Sequence, residues 1–238
     1  MASAPSVKVA SVGVVGGWSF PATVFDPLLC HLVADEVEAF DWFTFSTDWL
    51  GPERREPERQ ESARSLSAPA VWVGWSLGGS LLLEAERRGR IRPARLVLIQ
   101  ATPRFLAADG WPGVSRGDWL ALRRAAARQP LSAAAAFRRR FDLPSEPASS
   151  VRLAATDGLD WLGRLDLRDQ LVAIDLPVDI WLAPGDPLVP VDWPQHLDLP
   201  AHVRVHRFEQ GGHAAWLKHP VSLAQSLIHP LTDARSAD

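Results

Sequence analysis

The sequence predicts an α/β fold, a doubly wound and mainly parallel sheet with an inserted helical cap. Short apolar runs typical of buried strands alternate with segments of helical spacing, both before residue 101 and after residue 171. Between 101 and 171 the alternation stops, because alanine, leucine and arginine at helical spacings dominate there. With 238 residues and 47% hydrophobic content, we expect one domain, 1–238, with the cap at 101–171.

Each predicted element depends on a local pattern. The valine-rich run 7–15 ends at glycines, which is typical of a buried strand that enters a loop. Apolar residues on one face predict a helix over 21–33, and aromatic residues predict a strand over 38–45. Proline and charged residues predict a solvated loop or short surface helix over 51–64. The remaining predictions are an apolar run from 71, a helix that includes 81–85, strands over 95–100, 178–183 and 202–208, and a helix over 221–228.

The composition of the chain argues against several kinds of partner. The net charge is −3 and there is no long basic stripe, so we expect no nucleic acid partner. No run approaches the length of a membrane span and no signal peptide is evident, so we expect no membrane association and a cytoplasmic location. The only cysteine, Cys30, cannot form an internal disulfide, and we expect it on a buried helix face. We also expect a monomer.

The run Gly74-Trp75-Ser76-Leu77-Gly78 lies between an apolar strand pattern and a helical one. Gly-x-Ser-x-Gly in this context predicts a nucleophile elbow, a sharp turn that exposes a serine above the sheet. The flanking glycines are needed because the backbone folds back closely on both sides of the serine. Ser76 is therefore the predicted nucleophile.

Two later loops complete a set of catalytic residue types. Asp186 follows one late strand and His213 follows the next, so the chain order is Ser, Asp, His, as in α/β-hydrolases. A serine hydroxyl needs a histidine to take its proton, and a carboxylate orients that imidazole and stabilises its cation. We assign the general base and acid to His213 and the orienting carboxylate to Asp186.

Acyl transfer also needs hydrogen-bond donors for the developing oxyanion. The backbone N–H of Leu77 follows the nucleophile at a helix start, and the N–H of Trp18 lies in the loop after the first strand. Gly16 and Gly17 permit a close backbone approach in that loop, although two glycines also occur in ordinary turns. We predict that both amides form the oxyanion hole.

Other chemistries lack their sequence motifs. There is no His-Glu-x-x-His, Cys-x-x-Cys or acidic calcium loop, so we expect no metal. The early glycines do not form Gly-x-Gly-x-x-Gly, and no phosphate-binding Gly-Lys-Ser/Thr occurs, so we expect no cofactor. The chain contains no tyrosine, which excludes tyrosine-based roles in catalysis.

Motifs spread over nearly the whole chain resemble those of one esterase family. They are Gly17-Trp18, Gly74-Trp75-Ser76-Leu77-Gly78, Ala101-Thr102-Pro103-Arg104-Phe105, Trp111-Pro112-Gly113, Asp166-Leu167-Arg168, Asp186-Pro187-Leu188-Val189-Pro190 and His213. On these motifs the chain resembles the BioH family, the pimeloyl-acyl-carrier-protein methyl ester carboxylesterases of biotin synthesis. The Trp-Pro-Gly motif is more specific than the hydrolase motifs, which many unrelated esterases share. Where the family commonly has histidine before Gly-Trp, this chain has Gly16.

The resemblance implies hydrolysis of the methyl ester of a pimeloyl chain carried on acyl carrier protein, with the carrier docked on the cap. Between Arg104 and Phe141 the chain has eight arginines and two acidic residues, a charge that suits an acidic carrier. Lysine is rare throughout, however, so these arginines could equally be ordinary surface residues. The resemblance implies that Arg140 and Arg152 bind the carrier, and we include Arg138 and Arg139 only because they are their neighbours in the sequence. The implied walls of the acyl pocket are Trp18, Trp75, Leu77 and Phe141.

Two alternatives remain open from the sequence. One is a general carboxylesterase that acts on small esters without a carrier protein. The other is a binding protein that keeps the fold without catalysis; convergence of Ser76, Asp186 and His213 within hydrogen-bonding reach would argue against it.

Overall fold

The structure is a computed structural model, and it describes residues 8–51, 69–145 and 151–228. Within these residues, six strands form one parallel sheet in the order β2-β1-β3-β4-β5-β6. The strands are β1 Lys8–Val15, β2 Val33–Phe40, β3 Val71–Trp75, β4 Arg95–Ile99, β5 Val178–Leu182 and β6 Val203–Arg207. The chain moves outward from β1 to β2 and then returns to β3 on the other side of β1. This reversal creates a switch point where the loops after β1 and β3 diverge, which is where α/β sheets bind their ligands.

Helices cover the sheet and fill the segment between β4 and β5. The α-helices of the described residues are α1 Asp26–Leu29, α2 Trp42–Leu50, α3 Leu77–Arg87, α4 Arg116–Arg128, α5 Pro130–Arg140, α6 Thr156–Arg164, α7 Arg168–Ala173 and α8 Pro220–Ile228. Short 3-10 helices span Ala22–Phe25, Val151–Ala154, Trp193–His196 and Ala215–Lys218. Among the described residues, no helix combines the length and the apolar character needed to cross a membrane.

Each face of the sheet packs against its own apolar layer. Along β3 every residue is buried, with Trp72 in one layer and Val73 in the other. This alternation follows from strand geometry, since successive side chains point to opposite faces. It also explains the continuous apolar runs at β3 and β4, because parallel strands in the centre of a sheet are covered on both sides.

We use the name cap for residues 101–171. Its two ends meet through an isolated bridge between Arg104 and Asp166. Arg104 and Arg168 both form salt bridges with Asp166, and the guanidinium of Arg168 lies 5.3 Å from the ring centroid of Trp111. The indole N–H of Trp111 donates to the Arg104 carbonyl at 2.9 Å. The cap-entry and cap-exit motifs of the sequence therefore form one cluster at the base of the cap.

Three local predictions are wrong: the bounds of the second strand, the extent of the first helix and the burial of Cys30. The second strand spans Val33–Phe40 instead of 38–45, because Asp41 accepts a hydrogen bond from the Thr44 amide and starts α2. The predicted helix over 21–33 is reduced to Ala22–Phe25 and Asp26–Leu29, and Cys30, which follows them, is exposed rather than buried. The predicted loop over 51–64 lies outside the described residues except at its first position.

A buried ion pair between β4 and β5 also connects the sheet to the last helix. Asp179 on β5 accepts from Arg95 Nε at 2.6 Å and from His206 Nε2 at 2.5 Å, and its side chain is only 2% exposed. Arg95 also donates to the Ser226 carbonyl at 3.0 Å. Burial raises the pKa of Asp179, but the hydrogen bond from His206 and the positive charge of Arg95 outweigh it, so the net pKa is lowered.

We expect Asp179→Asn to lower the free energy of unfolding by about 3 kcal/mol, because the Arg95 guanidinium stays buried without its charge partner. A carboxylate with a lowered folded-state pKa stabilises the protein above its ordinary value of 3.8, and this contribution is lost as pH falls further. Denaturant unfolding from neutral to acidic pH should therefore show that the free energy of unfolding falls less with decreasing pH in the variant than in the wild type. Arg204→Met, which removes an exposed arginine 3.8 Å from Asp179, is the control. A larger loss in the control would contradict the prediction.

Candidate active site

Ser76 lies at the abrupt turn between β3 and α3. Its φ is +54°, in the left-handed region that costs a non-glycine residue about 1 kcal/mol or more. Its backbone N–H donates to the Ile99 carbonyl at 2.9 Å. A Cβ atom on Gly74 would lie 2.5 Å from the Gly79 Cα, and one on Gly78 would lie 2.1 Å from the Val15 carbonyl oxygen. The glycines of the motif are thus required by close backbone packing around the serine.

The loops after β5 and β6 bring an acid and a base to this serine. His213 Nδ1 lies 2.8 Å from Asp186 Oδ2, and His213 Nε2 lies 2.8 Å from Ser76 Oγ. A carboxylate only accepts, so Nδ1 carries the proton and the lone pair of Nε2 faces the serine hydroxyl. The side chains of His213 and Asp186 are 2% and 0% exposed. The structure therefore joins the three predicted catalytic residues in one hydrogen-bonded chain.

Four donors surround the Asp186 carboxylate. The backbone N–H groups of Leu188 and Val189 donate to Oδ1 at 2.8 and 3.1 Å. Oδ2 accepts from His213 and from the side-chain amide of Gln100, whose Nε2 lies 3.1 Å away. These contacts fix the plane of the carboxylate and, through it, the imidazole ring.

Gln100 is a residue of the site to which the sequence analysis assigns no role. It is fully buried directly after β4, with a φ of +43°, and its Nε2 also donates to the Gly212 carbonyl. Both neighbours are acceptors, so the amide must present its nitrogen to them. Gln100 thus links the loop of Asp186 to the loop of His213. A polar residue that ends an apolar strand at the carboxyl edge of the sheet is the sequence signal that could have identified it.

The segments that carry the two predicted oxyanion donors lie next to Ser76. Leu77 is the first residue of α3, where a backbone N–H has no acceptor within the helix. The loop after β1 passes close to the nucleophile, since a Cβ atom on Gly17 would lie 3.2 Å from the Ser76 Cβ. Gly16, which replaces the histidine of the resembled family, donates its N–H to the Phe40 carbonyl at 3.0 Å. The loop therefore keeps an ordered backbone without that histidine.

A predominantly apolar pocket opens above Ser76 between the sheet and the cap. It is lined by Gly17, Trp18, Phe20, Trp75, Ser76, Phe105, Leu122, Phe137, Leu143, Leu159, Leu162, Leu188 and His213. Trp18 and Trp75 line it as predicted, but the side chain of Leu77 packs in the core and Phe141 is not among the lining residues. Phe137, four residues before Phe141, lines the pocket instead. Its ring meets the Trp18 ring edge-on, with 5.2 Å between the ring centroids. The predicted Phe141 therefore lies just beyond the end of α5, four residues after the phenylalanine that lines the pocket.

The four arginines expected to bind a carrier separate into two groups. Arg139, Arg140 and Arg152 are exposed on the cap, and Arg140 lies 4.0 Å from Asp118. Arg138 is only 6% exposed and its guanidinium faces the loop after β1. The prediction that Arg138 contacts a carrier is therefore wrong, because that side chain points into the protein.

Comparison with known proteins agrees with this geometry. The sequence pattern of the alpha/beta hydrolase family matches residues 12–226. The chain belongs to the α/β-hydrolase family. It is 35% identical over 178 residues to a pimeloyl-acyl-carrier protein methyl ester esterase of Methylococcus capsulatus, covering 68% of this chain and 69% of the relative. It is 30% identical over 236 residues to the esterase of that name from Xanthomonas campestris, covering 89% and 90%.

A solved structure shows the same architecture. The esterase EaEST from Exiguobacterium antarcticum superposes with a TM-score of 0.73 at 19% identity, over 93% of this chain and 91% of that one. This confirms the predicted fold class. As a member of this family, the protein is a serine hydrolase of the esterase type. The predicted resemblance to the BioH family is confirmed as sequence similarity.

We expect Gln100→Met to lower kcat/KM for a simple methyl ester about tenfold, because two buried acceptors lose their donor. The change in KM should be small, since the side chain contacts the triad on the side away from the substrate pocket.

Gln100→Glu should behave differently, because it places a second carboxyl group beside Asp186. Its activity should fall relative to wild type as pH rises and that group ionises. Steady-state rates between pH 5 and 9 would show this, with Gln170→Met, which removes a hydrogen bond to Glu86, as the control. Identical pH profiles in all variants would refute the role.

Proposed function

We propose that this protein is a carboxylesterase that hydrolyses the methyl ester of pimeloyl-acyl carrier protein through Ser76, His213 and Asp186. The supporting observation is the hydrogen-bonded chain from Ser76 Oγ through His213 to Asp186, at 2.8 Å in each link, at the base of an apolar pocket. The esterase names of the two relatives described above supply the substrate.

The chemistry follows from the placement of these groups. Ser76 Oγ attacks the ester carbonyl while His213 Nε2 takes its proton, and Asp186 stabilises the imidazolium that forms. When the tetrahedral intermediate collapses, the ester C–O bond breaks and His213 returns the proton to the leaving methoxy oxygen, which departs as methanol. Water then attacks the acyl-enzyme with the same proton relay, releasing the free carboxylate and restoring Ser76.

The backbone N–H groups of Trp18 and Leu77 are the proposed donors to the oxyanion. They belong to a loop that passes close to Ser76 and to the helix start that directly follows it. Donors fixed in this way need no reorganisation when charge develops, and removing one such donor typically costs a hydrolase about 3 to 4 kcal/mol.

The apolar lining of the pocket matches an aliphatic acyl chain in chemical character. Apart from Ser76 and His213, the pocket is lined by glycine and apolar or aromatic side chains, including Phe105, Leu122 and Phe137 from the cap. A methylene chain gains roughly 0.8 kcal/mol for each CH₂ that such a surface removes from water. The exposed Arg139, Arg140 and Arg152 give the cap a positive surface for the acidic carrier, which speeds association and orients it.

A second candidate is a general carboxylesterase that acts on small esters without a carrier. The burial of Arg138 favours it, because one of the four expected carrier contacts is used inside the protein. The proximity of Arg140 to Asp118 favours it as well, since that guanidinium has an acidic neighbour in the chain.

The deciding experiment compares pimeloyl methyl ester on acyl carrier protein with the free methyl ester, using wild type and Ser76→Ala. We expect a strong preference for the carrier-borne ester and a loss of kcat of about 10⁵-fold or more in Ser76→Ala, as in other serine hydrolases. Equal kcat/KM values on both substrates would favour the general esterase. Full activity of Ser76→Ala would exclude the proposed mechanism.

Carrier contact makes a separate prediction for the exposed arginines. Arg139→Glu should raise KM for the carrier-borne ester about three- to tenfold, and the effect should shrink at high salt because exposed charges are screened. The free methyl ester should be hydrolysed at the wild-type rate. Arg92→Glu, the same charge change at an exposed position before β4, is the matched control. An equal effect of both variants would mean that only net charge matters.

A further inference from the structure

The loop after β1 is held in place by the cap. The Ser19 N–H donates to the Leu153 carbonyl at 2.8 Å, and the indole N–H of Trp18 donates to the Ala155 carbonyl at 3.0 Å. A third contact comes from α5, where Arg138 donates through Nη2 to the Ser19 carbonyl. The loop belongs to the sheet by sequence, but these three partners all belong to the cap.

Arg138 is the most extensively engaged of these partners. Its Nε also donates to Ser19 Oγ at 3.3 Å, and its guanidinium carbon lies 4.8 Å from the ring centroid of Phe20. The whole residue is only 6% exposed. A planar guanidinium suits this place because it can donate from two nitrogens while its face covers an aromatic ring.

The contacted residues form a tight turn that carries the proposed oxyanion donor. The Phe20 N–H donates to the Gly17 carbonyl at 3.2 Å, so Trp18 and Ser19 are the two central residues of a four-residue turn. The Gly17 carbonyl and the Trp18 N–H belong to one planar peptide group. Fixing that carbonyl against Phe20 therefore also fixes the direction of the Trp18 N–H.

The turn is strained at Ser19. Its φ is +72°, a value that turns of this kind normally reserve for glycine or asparagine at the third position. Serine adopts this conformation only where its surroundings stabilise it. In this protein the surroundings are the two hydrogen bonds from Arg138 and the hydrogen bond to Leu153.

We propose that Arg138 is a positioning residue for catalysis: it holds the strained Gly17–Phe20 turn so that the Trp18 N–H points at the oxyanion. This rests on the proposed function, which assigns that N–H to the oxyanion hole. It follows that docking of α5 and assembly of the oxyanion hole are a single event. A cap displaced from the sheet would leave Ser76, His213 and Asp186 intact but one oxyanion donor misplaced.

Kinetics on a small methyl ester test this without any carrier protein. We expect Arg138→Met to lower kcat between about tenfold and a hundredfold, below the roughly hundred- to thousandfold cost of deleting an oxyanion donor outright. KM should change less than about threefold, because Arg138 does not line the pocket. Arg138→Lys should lose less, since it keeps the charge but not the planar fork. Arg92→Met is the control for removing an exposed arginine.

A pair of inhibitors separates oxyanion positioning from general damage to the pocket. A trifluoromethyl ketone forms a tetrahedral oxyanion adduct with the serine, whereas the matching methyl ketone binds as a neutral carbonyl. Arg138→Met should weaken binding of the trifluoromethyl ketone by about the same factor as it lowers kcat. Its affinity for the methyl ketone should stay within about twofold of the wild-type value. Wild-type kcat, or a parallel loss of both ketones, would overturn the proposal.

Two further variants, Arg138→Lys and Ser76→Ala, distinguish a folding defect and a failure of the proposed function from a failure of this proposal. If Arg138→Met does not fold, the two ketones are compared in Arg138→Lys, with the same selective loss expected and the same parallel loss as the contrary result. If Ser76→Ala abolishes turnover while Arg138→Met matches wild type, the proposed function stands and this inference fails. If Ser76→Ala remains active, the proposed function itself fails.

Discussion

The close packing of the first turn of α3 against the end of β1 is the constraint on which the site depends. Gly78 lies so near the Val15 carbonyl that no side chain fits between them, and Gly74 and Gly79 are in similar contact. This packing forces the reversed backbone at Ser76 and also places the loop after β1 beside the serine. Backbone contact thus brings the loop that carries the proposed oxyanion donor close to the nucleophile, and side chains such as Arg138 then hold the turn within that loop.

The sheet and the cap contribute different parts of the site around Ser76. The loops at the carboxyl ends of β3, β5 and β6 supply Ser76, Asp186 and His213, and Gln100 at the end of β4 links the last two loops. The cap supplies much of the pocket wall and the hydrogen bonds that hold the turn after β1. Salt bridges of Arg104 and Arg168 with Asp166 join the two ends of the cap to each other.

The errors in prediction concern which face or turn of an element meets its neighbour. Phe141 directly follows α5, four positions after Phe137, and this helical spacing alone cannot say which of the two reaches the pocket. Arg138, Arg139 and Arg140 are consecutive, and successive helical residues point about 100° apart, so the burial of one and the exposure of the others depend on how α5 is rotated. Gln100 gained its role only because two loops distant in sequence close around its amide.

The sequence by itself determined the parallel α/β architecture, the elbow at Ser76 and the chain order of nucleophile, acid and base. These features depend on local patterns, apolar runs and glycines at fixed spacing, which act within a few residues and are visible in one dimension. The tertiary structure decided that Phe137 lines the pocket, that Arg138 is buried against Ser19 and Phe20, and that Gln100 joins the acid and base loops. Those outcomes depend on contacts between segments about 80 to 120 residues apart, and side-chain direction at such contacts is set by packing, which no local pattern contains.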